Sequence, residues 1–206
     1  MLKIGLTGGI GSGKTTVSDL FTQLDNNKKK VAIIDTDIIA RQIVEVDKPA
    51  YKEIIKIFGK GILNKDASIN RKTLRNIIFN NPELKQQLED ITHPKIQAEV
   101  NRKISQLNTQ YCIIVIPLLF ETKSDYAIDR ILVVDCDTTT QIKRTIQRDQ
   151  TTTQDVENII KAQQPREYRL KQADDIINNN HDLKQLKQQV QQLHSFYLKL
   201  AKEHKP

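Results

Sequence analysis

The stretch TGGIGSGKTT (Thr7–Thr16) decides the fold. Within it, Gly8 through Thr15 fit the spacing GxxxxGK[ST], a loop whose backbone amides cradle phosphate oxygens. The flanks agree with that reading. LKIGLT (Leu2–Thr7) is a short apolar run of strand length, and Val17, Leu20, Phe21 and Leu24 recur at helical spacing over Thr15–Leu24. Five of the seven glycines lie between Gly5 and Gly13. They sit where backbone N–H groups must turn inward on phosphate with no β-carbon in the way. The helix that follows adds the positive end of its dipole. In such a loop Lys14 reaches the β- and γ-phosphates, and the Thr15 hydroxyl holds Mg²⁺.

Outward from the loop, the chain alternates buried strand candidates with helical stretches. VAIID (Val31–Asp35), CIIVI (Cys112–Ile116), RILVVD (Arg130–Asp135) and the shorter DDIIN (Asp174–Asn178) are apolar on both faces. Such runs suit a parallel sheet covered by helices. The expected fold class is therefore α/β, a three-layer P-loop fold with helices flanking a parallel β-sheet. The whole of 1–206 reads as one kinase domain. From about 51 to 108 the rhythm changes to helical periodicity without a strand, which predicts a helical substrate-binding insertion. Asn70 is a helix cap before Leu74, Ile77 and Ile78, with Pro82 ending that helix; His93–Pro94 opens another. A polar stretch, Thr138–Arg169, carries Arg144, Arg148, Arg166 and Arg169 over two helices. Leu183, Leu186, Val190, Leu193, Tyr197 and Leu200 make Asp182–Leu200 an amphipathic helix that covers the sheet. Lys28–Lys30 reads as a loop before the second strand.

Composition narrows the function. The chain has 206 residues, 38% hydrophobic and 28% charged, in the range of globular domains. No apolar run reaches the ~18 residues of a membrane span, and the N-terminal apolar stretch is broken too early for a signal peptide. A cytoplasmic, membrane-free protein is the expectation. Net charge is +7, which suits an anionic partner, either nucleic acid or a phosphate-rich small molecule. With 5% aromatic residues and no Trp, there is no aromatic-interleaved basic stripe for stacking bases, so nucleic acid is disfavoured. Cys112 and Cys136 lie in apolar runs with no CxxC spacing and read as buried reduced thiols. No obligate protein partner is evident.

Three further places carry candidate chemistry. In a doubly wound sheet the carboxyl ends of the strands form the ligand crevice, and the second strand ends in Asp35-Thr36-Asp37. A carboxylate there either accepts a proton from an acceptor hydroxyl or helps position Mg²⁺; alternatively Asp37 only caps the helix that follows, Ile38–Val44. The third strand runs into Pro117-Leu118-Leu119-Phe120-Glu121 with no acidic residue directly after it, which leaves Asp35 or Asp37 as the metal-side carboxylate. Arg144 and Arg148 stand four apart on one helical face, either as a clamp on base or phosphates or as an exposed basic surface. His93 is either a substrate contact or a helix-start residue. A regulatory GTPase is disfavoured: Asn64-Lys65-Asp66-Ala67 has the wrong spacing for guanine recognition, and no Asp is followed three residues later by Gly. A kinase for a nucleoside or nucleotide is the nearest rival.

These elements, in this order, resemble the dephospho-coenzyme A kinases. The resemblance rests on the loop Thr7–Thr16, IDTDIIAR (Ile34–Arg41), Ile69–Leu74, His93–Pro94, PLLFE (Pro117–Glu121), RILVVD, QIKRTIQRD (Gln141–Asp149) and ADDIINNN (Ala173–Asn180). It implies transfer of the γ-phosphoryl of ATP, with Mg²⁺, to the ribose 3′-hydroxyl of dephospho-coenzyme A, the last step of coenzyme A formation. It implies a lid region over about 138–170, and Asp37 as catalytic base, with Lys14 and Arg144 stabilising charge. Gly11, Ser12, Gly13, Lys14, Thr15 and Thr16 match the ATP phosphate loop, and Arg144 and Asn179 match contacts on the adenine side. Arg41 and His93 are carried over as substrate-binding positions. One departure is His181, where the family often has glycine. If that glycine adopts positive φ, His181 must tolerate or shift the same backbone.

Overall fold

The computed structural model describes residues 1–26, 29–122 and 126–203. Strand β1 (Leu2–Thr7) buries Leu2, Ile4 and Leu6 and leads through the glycine loop into helix α1 (Lys14–Thr22). Two-residue strands β2 (Asp25–Asn26) and β3 (Lys29–Lys30) pair antiparallel. The expected loop is therefore corrected at Lys29–Lys30, while Lys28 lies outside the described residues. Strand β4 (Ala32–Asp35) follows, with Val31 buried just before it.

Two compact units divide the chain, one of Met1–Asp35 with Leu107–Pro206 and one of Thr36–Gln106. The first is the α/β unit. After β5 (Tyr111–Val115) and β6 (Arg130–Asp135) come α6 (Thr138–Asp149), α7 (Thr153–Ala162) and α8 (Arg166–Lys171), then β7 (Asp175–Asn178) and α9 (Leu183–Glu203). The stretch expected to hold two helices holds three. The sheet order is β4-β5-β1-β6-β7, all parallel. Central β1 runs from Leu2 opposite Tyr111 to Leu6 opposite Val115, and on its other side from Ile4 opposite Arg130 to Thr7 opposite Val133. All four apolar runs expected as strands after β1 are strands, to within one residue at each end. Helix α9 covers the sheet as expected: Leu186, Val190 and Tyr197 join Ile4, Leu6, Phe21, Ile113, Val115 and Ile177 in one core. Cys112 and Cys136 are buried free thiols, and burial pushes Cys112 up to about 11.

The second unit is helical: α2 (Thr36–Gln42), α3 (Pro49–Phe58), a 3-10 turn (Lys60–Ile62), α4 (Arg71–Phe79) and α5 (Pro82–Ser105). Ala50, Ile54, Ile62, Leu74 and Ile91 form its core. Asn70 caps α4 as expected, its side chain accepting from the Thr73 amide at 3.0 Å. Two proline readings are corrected. Pro82 does not end α4 but starts α5, at the first helical position after the Asn81 cap, where a missing N–H costs nothing. Pro94 does not open a helix but lies inside α5. It removes one backbone donor there, and the buried Ile91, Ile96 and Val100 on both sides hold the helix continuous. Asp37 likewise stands within the first turn of α2 rather than at a cap before Ile38. No described helix is long and apolar enough to cross a membrane.

Candidate active site

The glycine loop is built by backbone conformations that side chains resist. Gly11 has φ +69 and Gly13 φ +94, and a β-carbon on Gly11 would come within 2.6 Å of the Gln141 carbonyl. Gly13 is also the residue before α1 and brings no side chain to cap it. The first turn of a helix has no acceptor for its own amides, so the α1 end is an anion site by construction. Lys14 Nζ donates to the Gly8 and Gly9 carbonyls at 2.8 and 3.0 Å, which holds the ammonium over the loop.

Side chains from far along the chain close around this loop. Asn179, buried just past β7, donates from Nδ2 to the Ser12 carbonyl at 2.7 Å, and its own carbonyl accepts from Arg144 Nη2 at 3.0 Å. Arg144 Nη1 then lies 4.0 Å from where a Gly13 β-carbon would sit. Two polar atoms here are buried without a partner, Arg144 Nη1 and Ser12 Oγ. Buried polar groups almost always find partners. A donor and a hydroxyl left without one beside a glycine loop are groups that an anion's oxygens could satisfy.

The loop is also held from its outer side. Gln163 Oε1 accepts from the Ile10 amide at 3.0 Å, and buried Gln141 packs against Gly9 and Gly11. Asp135, at the end of β6, accepts from Arg166 Nε and Nη2 at 2.7 and 2.6 Å, which raises the arginine's already high pKa. Glu121 accepts from the Gln164 amide at 2.8 Å. Asp137 caps α6 through the Thr140 amide, and that bond lowers its pKa. Gln141, Gln163 and Asp135 were missed by sequence reasoning, and Arg166 and Arg169 were noted there without a role. Asp135 had a readable signal, being an acid at the carboxyl end of a strand.

Of the candidate residues, Gly11 through Thr16, Arg144 and Asn179 come together in the α/β unit. The paired-arginine reading separates: Arg148 is exposed and forms a bidentate ion pair with Asp149 at 2.7 Å. His181 is not among the residues with positive φ, so the glycine-to-histidine departure carries no such strain. In the helical unit, exposed Asp37 and Arg41 stand four apart on α2, which packs against α5, the helix of half-buried His93. Among the described residues no group of three or more His, Cys, Asp or Glu could hold a metal ion. A Mg²⁺ ion suits such a place when phosphate oxygens and water supply most of its shell. The exposed Thr15 hydroxyl, at the first turn of α1, is a hard oxygen donor that fits this role.

Known proteins share this architecture and much of the sequence. The family model described as dephospho-CoA kinase matches residues 2–185. A dephospho-CoA kinase of Coxiella burnetii is 46% identical over 202 residues, covering 98% of this chain and 99% of that protein. The solved structure of dephospho-CoA kinase from Campylobacter jejuni is similar with a TM-score of 0.70 and 29% identity, covering 96% of this chain and 97% of that one. Shikimate kinase from Acinetobacter baumannii, at 13% identity and a TM-score of 0.55 over 97% of this chain and 94% of that one, shares the fold alone.

Proposed function

The chain belongs to the dephospho-CoA kinase family, and from that premise we propose that it uses ATP to phosphorylate the ribose 3′-hydroxyl of dephospho-coenzyme A, giving coenzyme A and ADP. The observation that carries the ATP half of this reading is the pair of buried, unpartnered polar atoms, Ser12 Oγ and Arg144 Nη1, at a glycine loop that opens α1.

In the proposed reaction the acceptor oxygen attacks the γ-phosphorus in line, its proton passes to the Asp37 carboxylate, and the bond from the γ-phosphorus to the bridging oxygen of ADP breaks. Gly11 through Thr16 bind the phosphates through amides. Lys14 and Arg144 stabilise the charge on the transferred group, which is where most of the rate enhancement of such transfers originates. Arg144 and Asn179 flank the adenine side. A Mg²⁺ ion held by Thr15, with Asp35 or Asp37 as a further ligand, would neutralise charge on the β- and γ-phosphates. The helical stretch of about 51–108, with Arg41 and His93 as contacts, receives the acceptor, and the segment of about 138–170 is a lid that excludes water. A cytoplasmic location fits these soluble substrates.

The test is ATP turnover with dephospho-coenzyme A against a panel of nucleosides and nucleotides, with the product identified by mass. A gain of one phosphoryl group on the ribose 3′-oxygen of dephospho-coenzyme A is the expected result; brisk transfer to another acceptor alone would overturn the acceptor assignment. Asp37→Asn should abolish transfer while MgATP still binds by calorimetry. Loss of both would make Asp37 a structural or metal-holding residue instead of the base.

A further inference from the structure

The peptide unit between Gly9 and Ile10 is held at both ends. Its carbonyl, on Gly9, accepts from Lys14 Nζ at 3.0 Å and from the Ser12 amide at 3.2 Å. Its N–H, on Ile10, donates to Gln163 Oε1 at 3.0 Å, across 153 positions of the chain. A trans peptide is planar, with its N–H and C=O on opposite sides, so a group that fixes the one fixes the direction of the other. This unit follows a glycine, whose backbone admits orientations closed to other residues, so a hold from outside the loop restricts its rotation. Gln163 itself stands on a braced segment. It ends α7 in an extended conformation, φ −88 and ψ 158, with its amide donating to the Ile160 carbonyl. The next residue, Gln164, donates its amide to Glu121 Oε1 at 2.8 Å, and its carbonyl accepts from Arg169 Nη1. Arg166, at the start of α8, is paired with Asp135 at the end of β6. The junction of α7 and α8 is thereby tied to the segments that leave β5 and β6, and Gln163 carries that frame to the loop.

We infer that Gln163 is a positioning residue for Lys14: its carboxamide holds the Gly9–Ile10 peptide plane in the orientation whose carbonyl keeps the ammonium over the loop. This rests on the reading of the loop as the ATP site. Without an acceptor at Ile10, water takes the N–H and the plane turns more freely, so Lys14 is less often where it meets the phosphates. A scaffold contact and a positioning contact predict different losses. Removal of a scaffold contact lowers thermal stability and leaves the affinity and turnover of the folded protein intact. Removal of a positioning contact lowers affinity and turnover well below the melting temperature, and costs nothing further once Lys14 is gone.

The experiment is a double-mutant cycle of Gln163→Met and Lys14→Ala, read by calorimetric titration with MgATP. Thermal unfolding is followed for each variant, and kcat on dephospho-coenzyme A is measured for Gln163→Met and Gln163→Glu. Methionine keeps the length of the side chain and removes the acceptor, whereas glutamate keeps an acceptor oxygen at the same reach. Gln163→Met should weaken MgATP binding on the order of tenfold when Lys14 is present and by less than about twofold in Lys14→Ala. It should lower kcat on the order of tenfold as well, while Gln163→Glu stays within about threefold of wild-type kcat at saturating MgATP. Equal losses of affinity in both backgrounds overturn the inference, because Gln163 then acts by a route other than Lys14. A Gln163→Met protein that fails to fold, or melts lower with affinity and kcat unchanged, overturns it in favour of a scaffold. Gln163→Glu losing kcat as fully as Gln163→Met also overturns it. Wild type that does not bind MgATP refutes the ATP reading itself, and this inference with it. Wild type that binds MgATP without phosphorylating dephospho-coenzyme A refutes only the acceptor, and the binding cycle then decides the inference alone.

Discussion

Replacing Asn179 by alanine separates two jobs that sit on one residue. Its side chain donates to the Ser12 carbonyl at 2.7 Å, while its backbone carbonyl, which alanine keeps, accepts from Arg144 Nη2 at 3.0 Å. Its backbone amide, also kept, donates to the Asp135 carbonyl at 2.7 Å. The substitution therefore removes one buried hydrogen bond and leaves the Ser12 carbonyl short of a donor, at a cost of about 1–3 kcal/mol. For a chain of this length each kcal/mol lowers the melting temperature by about 2–4 °C, so a fall of roughly 2–12 °C is expected in thermal unfolding followed by circular dichroism. Because Arg144 stays anchored, kcat should fall by no more than about tenfold, whereas Arg144→Ala should lose about 10²-fold or more, the usual effect of removing one transition-state donor. An Asn179→Ala protein with an unchanged melting temperature and a steeply raised KM for ATP would refute this reasoning and place the carboxamide on the nucleotide instead.

Gly13→Ala puts a β-carbon at φ +94 and into the space of Asn179 Nδ2. It should cost at least the ~1–2 kcal/mol of a left-handed residue and abolish MgATP binding measured by calorimetry; retained wild-type affinity would mean that the loop tolerates another path. His194 gives a pH prediction. It is buried against Tyr111, whose hydroxyl lies 2.6 Å from Nδ1, and burial lowers its pKa below the usual 6.5. Above that value the ring is neutral in both states and contributes nothing. As pH falls through 6.5 toward the depressed folded value, the unfolded chain binds a proton that the folded chain resists, so stability declines. Urea unfolding at about pH 5 and pH 7.5 should show that decline in wild type and a smaller one in His194→Gln, the unfolded imidazole titrating near 6.5; equal declines would assign the effect to other groups.

What the sequence made legible was whatever physics keeps local. The glycine loop is readable because left-handed φ at Gly11 and Gly13 demands particular residues in the loop itself. The core strands are readable because burial on both faces demands apolar runs. The β2–β3 pair was not, since two-residue polar strands carry no periodicity. Proline misled twice because it is at home both beyond a helix end and at a helix start. The Asn80-Asn81 pair before Pro82 held the deciding signal, a cap for the second helix. Inside α5, three buried apolar side chains around Pro94 outweigh a lost hydrogen bond, a tertiary effect that no local pattern encodes.

The surroundings of the loop follow from strand order, which apolar runs do not reveal. With β1 in the centre, the loop that follows it is flanked by whatever leaves the carboxyl ends of β5 and β6. Those ends deliver Glu121 and, through Asp135 and α6, Gln141 and Arg144. β7 lies one strand further out, and its end delivers Asn179. Arg144 and Arg148 share one residue type and one helical face, yet Arg144 meets Asn179 and Arg148, one turn further along α6, meets Asp149 in solvent. The difference in surroundings is a matter of one helical turn, about 5.4 Å along the axis, which an i, i+4 spacing on one face does not distinguish.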